Sequence, residues 1–177
     1  VHGFDTQEQS CPAGHKNEFL KISPQLTIIC NSEETHNRLT KWGVSPGNLV
    51  VKHMGVTIPE ITRSTNPQFT ILALGRLIDC KSPDRTIQAF ELACELGLNA
   101  QLIIAGDGPL KVTCELLRVR SKWKDAIKII GEVTWEQGRL LYSQADMFTQ
   151  HAMVGELTGR VEAFGVSIIE AMASALP

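Results

Sequence analysis

The sequence predicts an α/β protein in which helices cover both faces of parallel sheets. Short runs of β-branched and other apolar residues alternate with segments of helical composition, separated by turn residues. Strands that are connected through helices in this way form parallel sheets. A stretch with two prolines and little apolar content, residues 57–68, reads as an interdomain linker. The predicted domains are therefore residues 1–56 and 69–177.

The first block is predicted to hold two helices and two strands. Leu26–Cys30 and Leu49–Met54 are apolar runs typical of strands. Asn31 or Ser32 can cap the helix between them, which runs through Trp42. In chain order the predictions are a helix over 16–22, a strand over 26–30, a helix up to 42 and a strand over 49–54.

The second block continues the alternation of strands and helices. Pro83 stands at the start of its first helix and Gly97 follows the end, as expected for helix boundaries. The predicted strands are 69–74, 101–105, 127–130 and 146–149. Helices are predicted over 83–96, over about a dozen residues after 109, over 134–144, and around Glu170 near the end of the chain.

Composition excludes several classes of protein. The chain has 177 residues, of which 43% are hydrophobic and 20% charged, as in ordinary globular proteins. Its net charge of −2 gives no reason to expect nucleic acid as a partner. The five cysteines are scattered without a C-x-x-C pair, which favours a reducing compartment over a disulfide framework or a zinc site. Without an initiator Met or a signal pattern, we expect a cytoplasmic protein whose sequence is truncated at both ends.

Two glutamates stand eight residues apart near the end of the chain. Glu162 falls in a loop-like run, whereas Glu170 is the only charged residue from Phe164 to Pro177 and lies in an apolar helix. A lone charge among apolar neighbours is costly to bury without a partner. Glu170 is therefore either solvated on one face or bound to a polar ligand, and its neighbours favour the ligand. Gly165, at the helix entrance, would let backbone N–H groups approach a phosphate.

Loops after the strands carry further candidates, since ligands of parallel sheets bind at the carboxyl ends of the strands. Arg76 and Lys81 share the loop after the first strand of the second block, and two cations there suit a diphosphate. The turn at 106–109 is either a phosphate-binding turn or a tight turn; the incomplete glycine pattern favours the tight turn. The long loop 150–161 suggests function, although His151 within it is equally consistent with a structural role.

An ordered series of motifs resembles the nucleotide-sugar domain of the retaining family 4 glycosyltransferases, which have the GT-B fold of two Rossmann-like domains. Two segments of the first block, Cys30–Glu33 and His53–Val56, are similar to the end of that family's acceptor domain and its crossover. His2–Asp5 is similar to a segment of branches that build exopolysaccharide. The motifs of the second block are Gly75-Arg76-Leu77 with Lys81, Ala105–Leu110, Gly131-Glu132-Val133, Ala145-Asp146-Met147, and Glu162–Gly165 with Glu170–Ala173.

The resemblance implies a catalytic role for three residues. Arg76 and Lys81 would bind the diphosphate of the donor and stabilise it as it leaves, and Glu162 would contact the transferred sugar near the reacting carbon. These roles agree with the chemistry, because negative charge develops on the diphosphate and positive character on the sugar. The two glutamates could instead serve a glycosidase, but glycoside hydrolysis leaves no phosphate for a cationic loop to neutralise.

The resemblance also implies a set of binding residues. Gly75 belongs to the donor-binding loop, and Glu170 would accept hydrogen bonds from the ribose hydroxyls. Backbone N–H groups of Phe164 and Gly165 would reach the sugar and phosphate. Val133 would lie near the base through its backbone. His2 would face the acceptor.

The resemblance implies an enzyme that transfers a sugar, with retention of configuration, from a UDP- or GDP-type sugar to an acceptor. The acceptor is expected to be a saccharide or lipid-linked, and the role to lie in polysaccharide or glycoconjugate biosynthesis. No cofactor and no metal are expected, and the sequence has no D-x-D pair. Peripheral association with the inner face of a membrane is expected of the intact protein. The alternatives are a sugar-nucleotide epimerase of the same fold, and a chain that binds nucleotide without turnover because most of the acceptor domain is absent.

Overall fold

The computed structural model of the chain describes residues 13–60 and 67–177. Its first block contains helix α1 (His15–Ile22), strand β1 (Ile28–Cys30), helix α2 (Glu33–Trp42) and strand β2 (Leu49–Val51). The two strands pair in parallel. The side chain of Ser32 caps α2 by accepting a hydrogen bond from the backbone N–H of Thr35, as the sequence predicts. Trp42 and Leu39 pack α2 onto the strands.

The second block is a four-stranded parallel sheet in the order β5-β4-β3-β6. All pairs in the sheet are parallel, as predicted. In chain order the elements are β3 (Phe69–Leu74), α3 (Pro83–Glu95), β4 (Ala100–Ala105), α4 (Lys111–Arg120), β5 (Ile127–Gly131), α5 (Trp135–Gln144), β6 (Met147–Phe148) and α6 (Val166–Ala173).

Helices cover both faces of this sheet, which confirms the predicted fold class. On one face, Ile87 and Phe90 of α3 and Cys114 of α4 pack against the sheet residues Leu102 and Ile104. The opposite face is covered by α5 and α6, whose buried residues pack with sheet residues in a separate core; they are Leu72, Ala105, Tyr142, Ala145, Ala171 and Leu176.

Three predicted strands are shorter in the structure. β1 begins at Ile28, whereas the sequence predicts a strand from Leu26. β2 ends at Val51, whereas the sequence predicts a strand through Met54. The prediction is wrong there because His53 leaves the sheet and stacks on Phe164, with ring centroids 5.7 Å apart. β6 comprises Met147–Phe148 rather than the predicted 146–149. Asp146 still bonds to β3: its N–H donates to the carbonyl of Thr70 at 2.9 Å, and its carboxylate accepts a hydrogen bond of 2.8 Å from the N–H of Thr70.

The turn at 106–109 is a tight turn that packs against the loop after β3. Gly106 has φ +139°, and a Cβ there would overlap the carbonyl of Gly75. Its N–H donates to the carbonyl of Gly131 at 2.7 Å, and the N–H of Gly108 donates to the Asp107 carboxylate at 2.7 Å. Because both glycine N–H groups are bonded within the protein, the structure favours the tight turn over a phosphate-binding turn.

Residues 57–60 form no helix or strand, and the remainder of the predicted linker, residues 61–66, lies outside the described residues. The division into domains at 1–56, 57–68 and 69–177 remains a prediction.

Candidate active site

The predicted site residues within the described part of the chain gather at the carboxyl ends of the strands, around two adjoining clefts. The first cleft, of about 340 Å³, has Val133, Tyr142 and Glu170 among its lining residues. The second, of about 290 Å³, contains five predicted site residues, which are Arg76, Lys81, Glu162, Phe164 and Gly165. Val166, at the start of α6, lines both clefts. The fold therefore sorts the predicted residues into two groups that meet at the entrance of α6.

Lys81 and Glu162, which are far apart in sequence, form an ion pair in the second cleft. Lys81 Nζ lies 3.0 Å from Glu162 Oε2, and their side chains are only 18% and 21% exposed. The other carboxylate oxygen of Glu162 accepts a hydrogen bond of 3.2 Å from the backbone N–H of Gly165. Glu162 is thus bonded to two of the groups that were predicted to face the donor, and a bound phosphate or sugar would have to share them.

The surroundings of Glu162 keep it ionised. Burial alone would raise the pKa of its carboxyl, but the hydrogen bond and charge of Lys81, with the backbone N–H groups of Gly165 and Phe164, outweigh burial and hold the pKa below its ordinary value. The second cleft therefore keeps a negative charge beside a cation at neutral pH. A carboxylate in this setting can stabilise positive character on a sugar.

Gly75 makes room for Lys81. A Cβ at Gly75 would lie 3.2 Å from Lys81 Nζ and 3.3 Å from its Cδ, so the lysine chain crosses directly over the glycine. Arg76, the next residue, is exposed at the mouth of the second cleft. Within residues 13–60 and 67–177, no acidic side chain pairs with its guanidinium. It is therefore available to an anionic ligand.

Glu170 is half-buried, and one of its oxygens is bound to the neighbouring helix. The hydroxyl of Tyr142 on α5 lies 3.1 Å from Glu170 Oε2 and 3.0 Å from the carbonyl of Ser167. Val133 lies in the same cleft. The two residues thus line one cleft, and their roles toward a ribose and a base stay predictions. The hydrogen bond from Tyr142 was not predicted.

Asp79 fastens the long loop 150–161 to the loop that carries Lys81. Its carboxylate accepts hydrogen bonds from the N–H groups of Leu157 (3.1 Å) and Thr158 (2.8 Å), and from the Thr158 hydroxyl at 2.9 Å to each oxygen. A Cβ on Gly155 would lie 2.5 Å from the same carboxylate. Because this loop leads directly into Glu162, the hydrogen bonds to Asp79 also help to fix the position of Glu162.

Asp79→Asn is expected to loosen this loop and to lower the free energy of unfolding by about 1 kcal/mol, because hydrogen bonds from exposed and partly buried donors of the loop are weakened or lost. Amide exchange at Leu157 and Thr158 should accelerate, whereas Asp125→Asn at an exposed site should change neither quantity. Burial opposes ionisation of Asp79, but the bonds from Thr158, Cys80 and Leu157 hold its pKa below the ordinary value.

The sign of the resulting pH dependence follows from that lowered pKa. The stabilisation is fully present above the pKa of an unfolded Asp, about 3.9, and is lost as the pH falls through the lower folded value. The stability difference between the wild type and Asp79→Asn should therefore shrink on acidification. A difference that stayed constant down to pH 2 would contradict the anchoring role.

The first block contributes to the second cleft as well. Asn31 and Met54 line it, and the ring of His53 stacks on Phe164 with an interplanar angle of 10°. His53 Nδ1 lies 3.3 Å from the carbonyl oxygen of Asn31. These contacts place the predicted crossover segment beside the donor-side residues.

Sequence reasoning missed Tyr142, Asp79 and the contribution of the first block to the cleft. Apart from the resemblance to a family, the local pattern gives no signal for them, because each acts through a partner distant in sequence. His151, left open by the sequence, has its Nδ1 3.5 Å from the Thr86 hydroxyl, and the cleft linings do not include it. His2 lies outside the described residues, so its role stays a prediction.

In the part of the chain that the structure describes, no group of three or more His, Cys, Asp or Glu side chains is arranged to hold a metal ion. A search of the same residues finds no helix with both the length and the apolar composition to cross a membrane.

Comparison with curated proteins finds relatives that act on lipids. The chain is 24% identical over 169 residues to a phosphatidylinositol N-acetylglucosaminyltransferase subunit of Arabidopsis thaliana, covering 92% of this chain and 36% of that protein. It is 29% identical over 100 residues to a GDP-mannose-dependent phosphatidylinositol dimannoside mannosyltransferase of Mycobacterium tuberculosis, covering 50% and 26%. The chain thus spans about a third or less of the length of these relatives.

Solved structures share the fold. The Anabaena protein HepE in complex with UDP and glucose superposes with a TM-score of 0.78 at 16% identity, covering 99% of this chain and 50% of that one. TarM of S. aureus gives a TM-score of 0.77 at 16% identity, covering 97% and 33%. These likenesses agree with the predicted GT-B type of α/β fold.

A family model settles the relationship, because the glycosyl transferases group 1 model matches residues 57–177, which is more than half of the chain. The matched region holds every predicted site residue except His2. The chain therefore belongs to the glycosyl transferases group 1 family.

Proposed function

We propose that the chain carries the donor site of an enzyme that transfers a sugar from a nucleoside-diphosphate sugar to an acceptor with retention of configuration. The observation that carries this proposal is the convergence of two cations, Arg76 and Lys81, with the ionised carboxylate of Glu162 in one cleft. The ribose-type partner Glu170 lines the adjoining cleft. In this proposal the second cleft would take the sugar and the diphosphate, and the first cleft would take the nucleoside.

The chemistry assigns a task to each charge. When the bond between the anomeric carbon and the diphosphate oxygen breaks, negative charge grows on the diphosphate, and Arg76 and Lys81 would stabilise it. Positive character grows on the sugar, and Glu162 would stabilise that charge. A new bond then forms between the anomeric carbon and the acceptor oxygen, while the acceptor hydroxyl loses its proton. We assign no metal and no cofactor to this reaction.

The acceptor is the finer part of the proposal. The names of the Arabidopsis and Mycobacterium relatives specify phosphatidylinositol lipids, which supports a lipid-linked acceptor over a free saccharide and a role in glycoconjugate synthesis. A lipid acceptor would place the reaction at a membrane surface, on the cytoplasmic side that the scattered cysteines favour. UDP is the first nucleoside diphosphate to test, because HepE and TarM are described in complex with it.

Product analysis tests the proposal. The chain, and a version extended to the length of its relatives, are incubated with UDP-N-acetylglucosamine, UDP-glucose or GDP-mannose and with phosphatidylinositol vesicles or oligosaccharides. We expect a glycosylated product whose anomeric configuration equals that of the donor, read from the H1–H2 coupling constant for glucose and N-acetylglucosamine and from the one-bond C1–H1 coupling constant for mannose. Epimerisation or hydrolysis of the donor without transfer to any acceptor would refute the transferase, and an inverted product would refute retention.

A further inference from the structure

Tyr142 is a buried tyrosine whose hydroxyl lies at the proposed nucleoside cleft. It is 4% exposed, and its ring packs against Phe148 with centroids 5.9 Å apart. Both acceptors of its hydroxyl are on α6: the carbonyl of Ser167 at 3.0 Å and Glu170 Oε2 at 3.1 Å. A phenol has a single proton to donate, so this one is shared between the backbone of α6 and the carboxylate.

The helix that carries Tyr142 is rigidly placed. Thr134 and Gln137 form a capping box at the start of α5, which satisfies two N–H groups at its first turn. Gly138, one turn before Tyr142, is buried and faces Leu74 of β3; the site of a Cβ there would lie 3.6 Å from Leu74 Cδ1. The hydroxyl is therefore held in place by the fold and does not depend on a flexible side chain.

This contact leaves Glu170 half engaged. Oε2 is bound to Tyr142, whereas within the described residues Oε1 has no hydrogen-bond partner and the side chain lines the cleft. A free glutamate side chain would lose rotamer freedom on binding a ligand. When the protein itself orders the carboxylate, that cost is met before the ligand arrives, and affinity rises.

We propose that Tyr142 is a positioning residue for ribose recognition: it fixes one oxygen of Glu170 so that the other is aimed at a ribose hydroxyl. This inference rests on the nucleotide site proposed above and extends it. The inference predicts that Tyr142 increases the binding affinity for ribonucleoside diphosphates, but not for forms that lack the ribose hydroxyls. A tyrosine that only filled the core could be replaced by phenylalanine without any effect on that preference.

The phenol stays a donor across the working pH range. Burial first, and then the charge of Glu170 and the hydrogen bond to it, raise the pKa of Tyr142 well above its ordinary value. A neutral hydroxyl keeps its proton and can hydrogen-bond to the carboxylate, a bond that it shares with the carbonyl of Ser167.

The first experiment compares ligands with and without ribose hydroxyls. Calorimetric titrations with UDP and GDP, and with the 2′,3′-dideoxy form of each, are made for the wild type, Tyr142→Phe, Glu170→Gln and the double variant. We expect Tyr142→Phe to weaken binding of the preferred ribonucleotide about tenfold, as for the loss of a hydrogen bond to a charged group, and to leave the dideoxy form within about twofold. In the Glu170→Gln background the second change should cost little, because the residue that Tyr142 positions has been altered.

A second measurement needs no substitution. Tyr142 is the only tyrosine of the chain, so protein labelled with ¹³C at the tyrosine ring carbon that bears the hydroxyl gives a single NMR resonance. Binding of the ribonucleotide should shift this resonance, because Glu170, which accepts a hydrogen bond from Tyr142, then also accepts one from a ribose hydroxyl. The dideoxy form should not shift it. This readout remains available even if Tyr142→Phe fails to fold, which a circular dichroism melt would reveal.

The outcomes separate this inference from the proposed function. Suppose that the wild type prefers the ribonucleotide, that Glu170→Gln removes this preference, and that Tyr142→Phe retains it. The nucleotide site then stands, and the positioning role of Tyr142 is refuted. Equal losses for both ligand forms in Tyr142→Phe also refute it, since they indicate a general structural effect. If the wild type binds the ribonucleotide and the dideoxy form equally, both the ribose role of Glu170 and the positioning role of Tyr142 are refuted.

Discussion

Replacing Lys81 with alanine is expected to lower the rate of sugar transfer about 10²- to 10³-fold, the loss typical of removing one group that stabilises developing negative charge. The lysine is less exposed than Arg76, which also lines the cleft, and it also neutralises Glu162. Its removal leaves a largely buried carboxylate without its ion-pair partner, so the free energy of unfolding should fall as well.

The pH profile adds a second readout for this variant. In the wild type the charge and hydrogen bond of Lys81 oppose burial and lower the pKa of Glu162. The stabilisation is fully present above the unfolded Glu pKa of about 4.3, and it is lost as the pH falls through the lower folded value. In Lys81→Ala burial is less opposed, so activity and stability should decline at a higher pH than in the wild type.

Lys124→Ala is the matched control for Lys81→Ala. Lys124 is exposed and precedes β5, at the end of the sheet opposite to the clefts. Steady-state rates for the two variants, with donor concentration varied, should show a large effect for Lys81 and none for Lys124. If Lys81→Ala retained more than about a tenth of the wild-type rate, the lysine would not stabilise the leaving group as argued.

Replacing Glu162 with glutamine is expected to lower the transfer rate by about 10³-fold while binding of the nucleoside diphosphate changes little. Glutamine has nearly the same shape but carries no charge, so the variant removes the electrostatic stabilisation of the sugar and keeps the packing. Because the proposal assigns the diphosphate contacts to Arg76 and Lys81, the donor should still bind. The loss should therefore appear in kcat and hardly in KM.

Glu156→Gln is the control for the loss of a negative charge, because Glu156 lies in the loop 150–161 that leads into Glu162. Glu156 lies 3.1 Å from Arg85 in an ion pair whose side chains are 66% and 49% exposed, and such surface pairs contribute little. Transfer by Glu156→Gln should equal that of the wild type. If both glutamine variants lost activity equally, the effect would arise from the loop as a whole, and the specific role of Glu162 would be wrong.

Local sequence signals predicted most of the regular structure. Ser32 caps α2, Thr134 begins α5 and Pro83 begins α3, as their positions imply. These boundaries depend on interactions within a few residues, which a single sequence contains. The early end of β2 could not be predicted, because it depends on the stacking of His53 against Phe164, more than a hundred residues later.

The site was predicted as a set of residues, but its internal geometry was not. The family resemblance and the charge pattern identified Arg76, Lys81, Glu162 and Glu170, and the fold brings them to adjoining clefts. The ion pair of Lys81 with Glu162 and the hydrogen bond of Tyr142 with Glu170 join different elements. Nothing in the periodicity of either element specifies such a partner, so only the folded arrangement of strands and helices reveals it.

Calorimetric titration of the chain with UDP, GDP, ADP and NAD, repeated with Arg76→Ala and Glu170→Ala, tests the central claim most directly. The account predicts that one nucleoside diphosphate binds, and that each substitution weakens it at least about tenfold, through the diphosphate in one variant and the ribose in the other. Binding of NAD alone, or nucleotide binding that both variants retain at full strength, would contradict a donor site at these clefts.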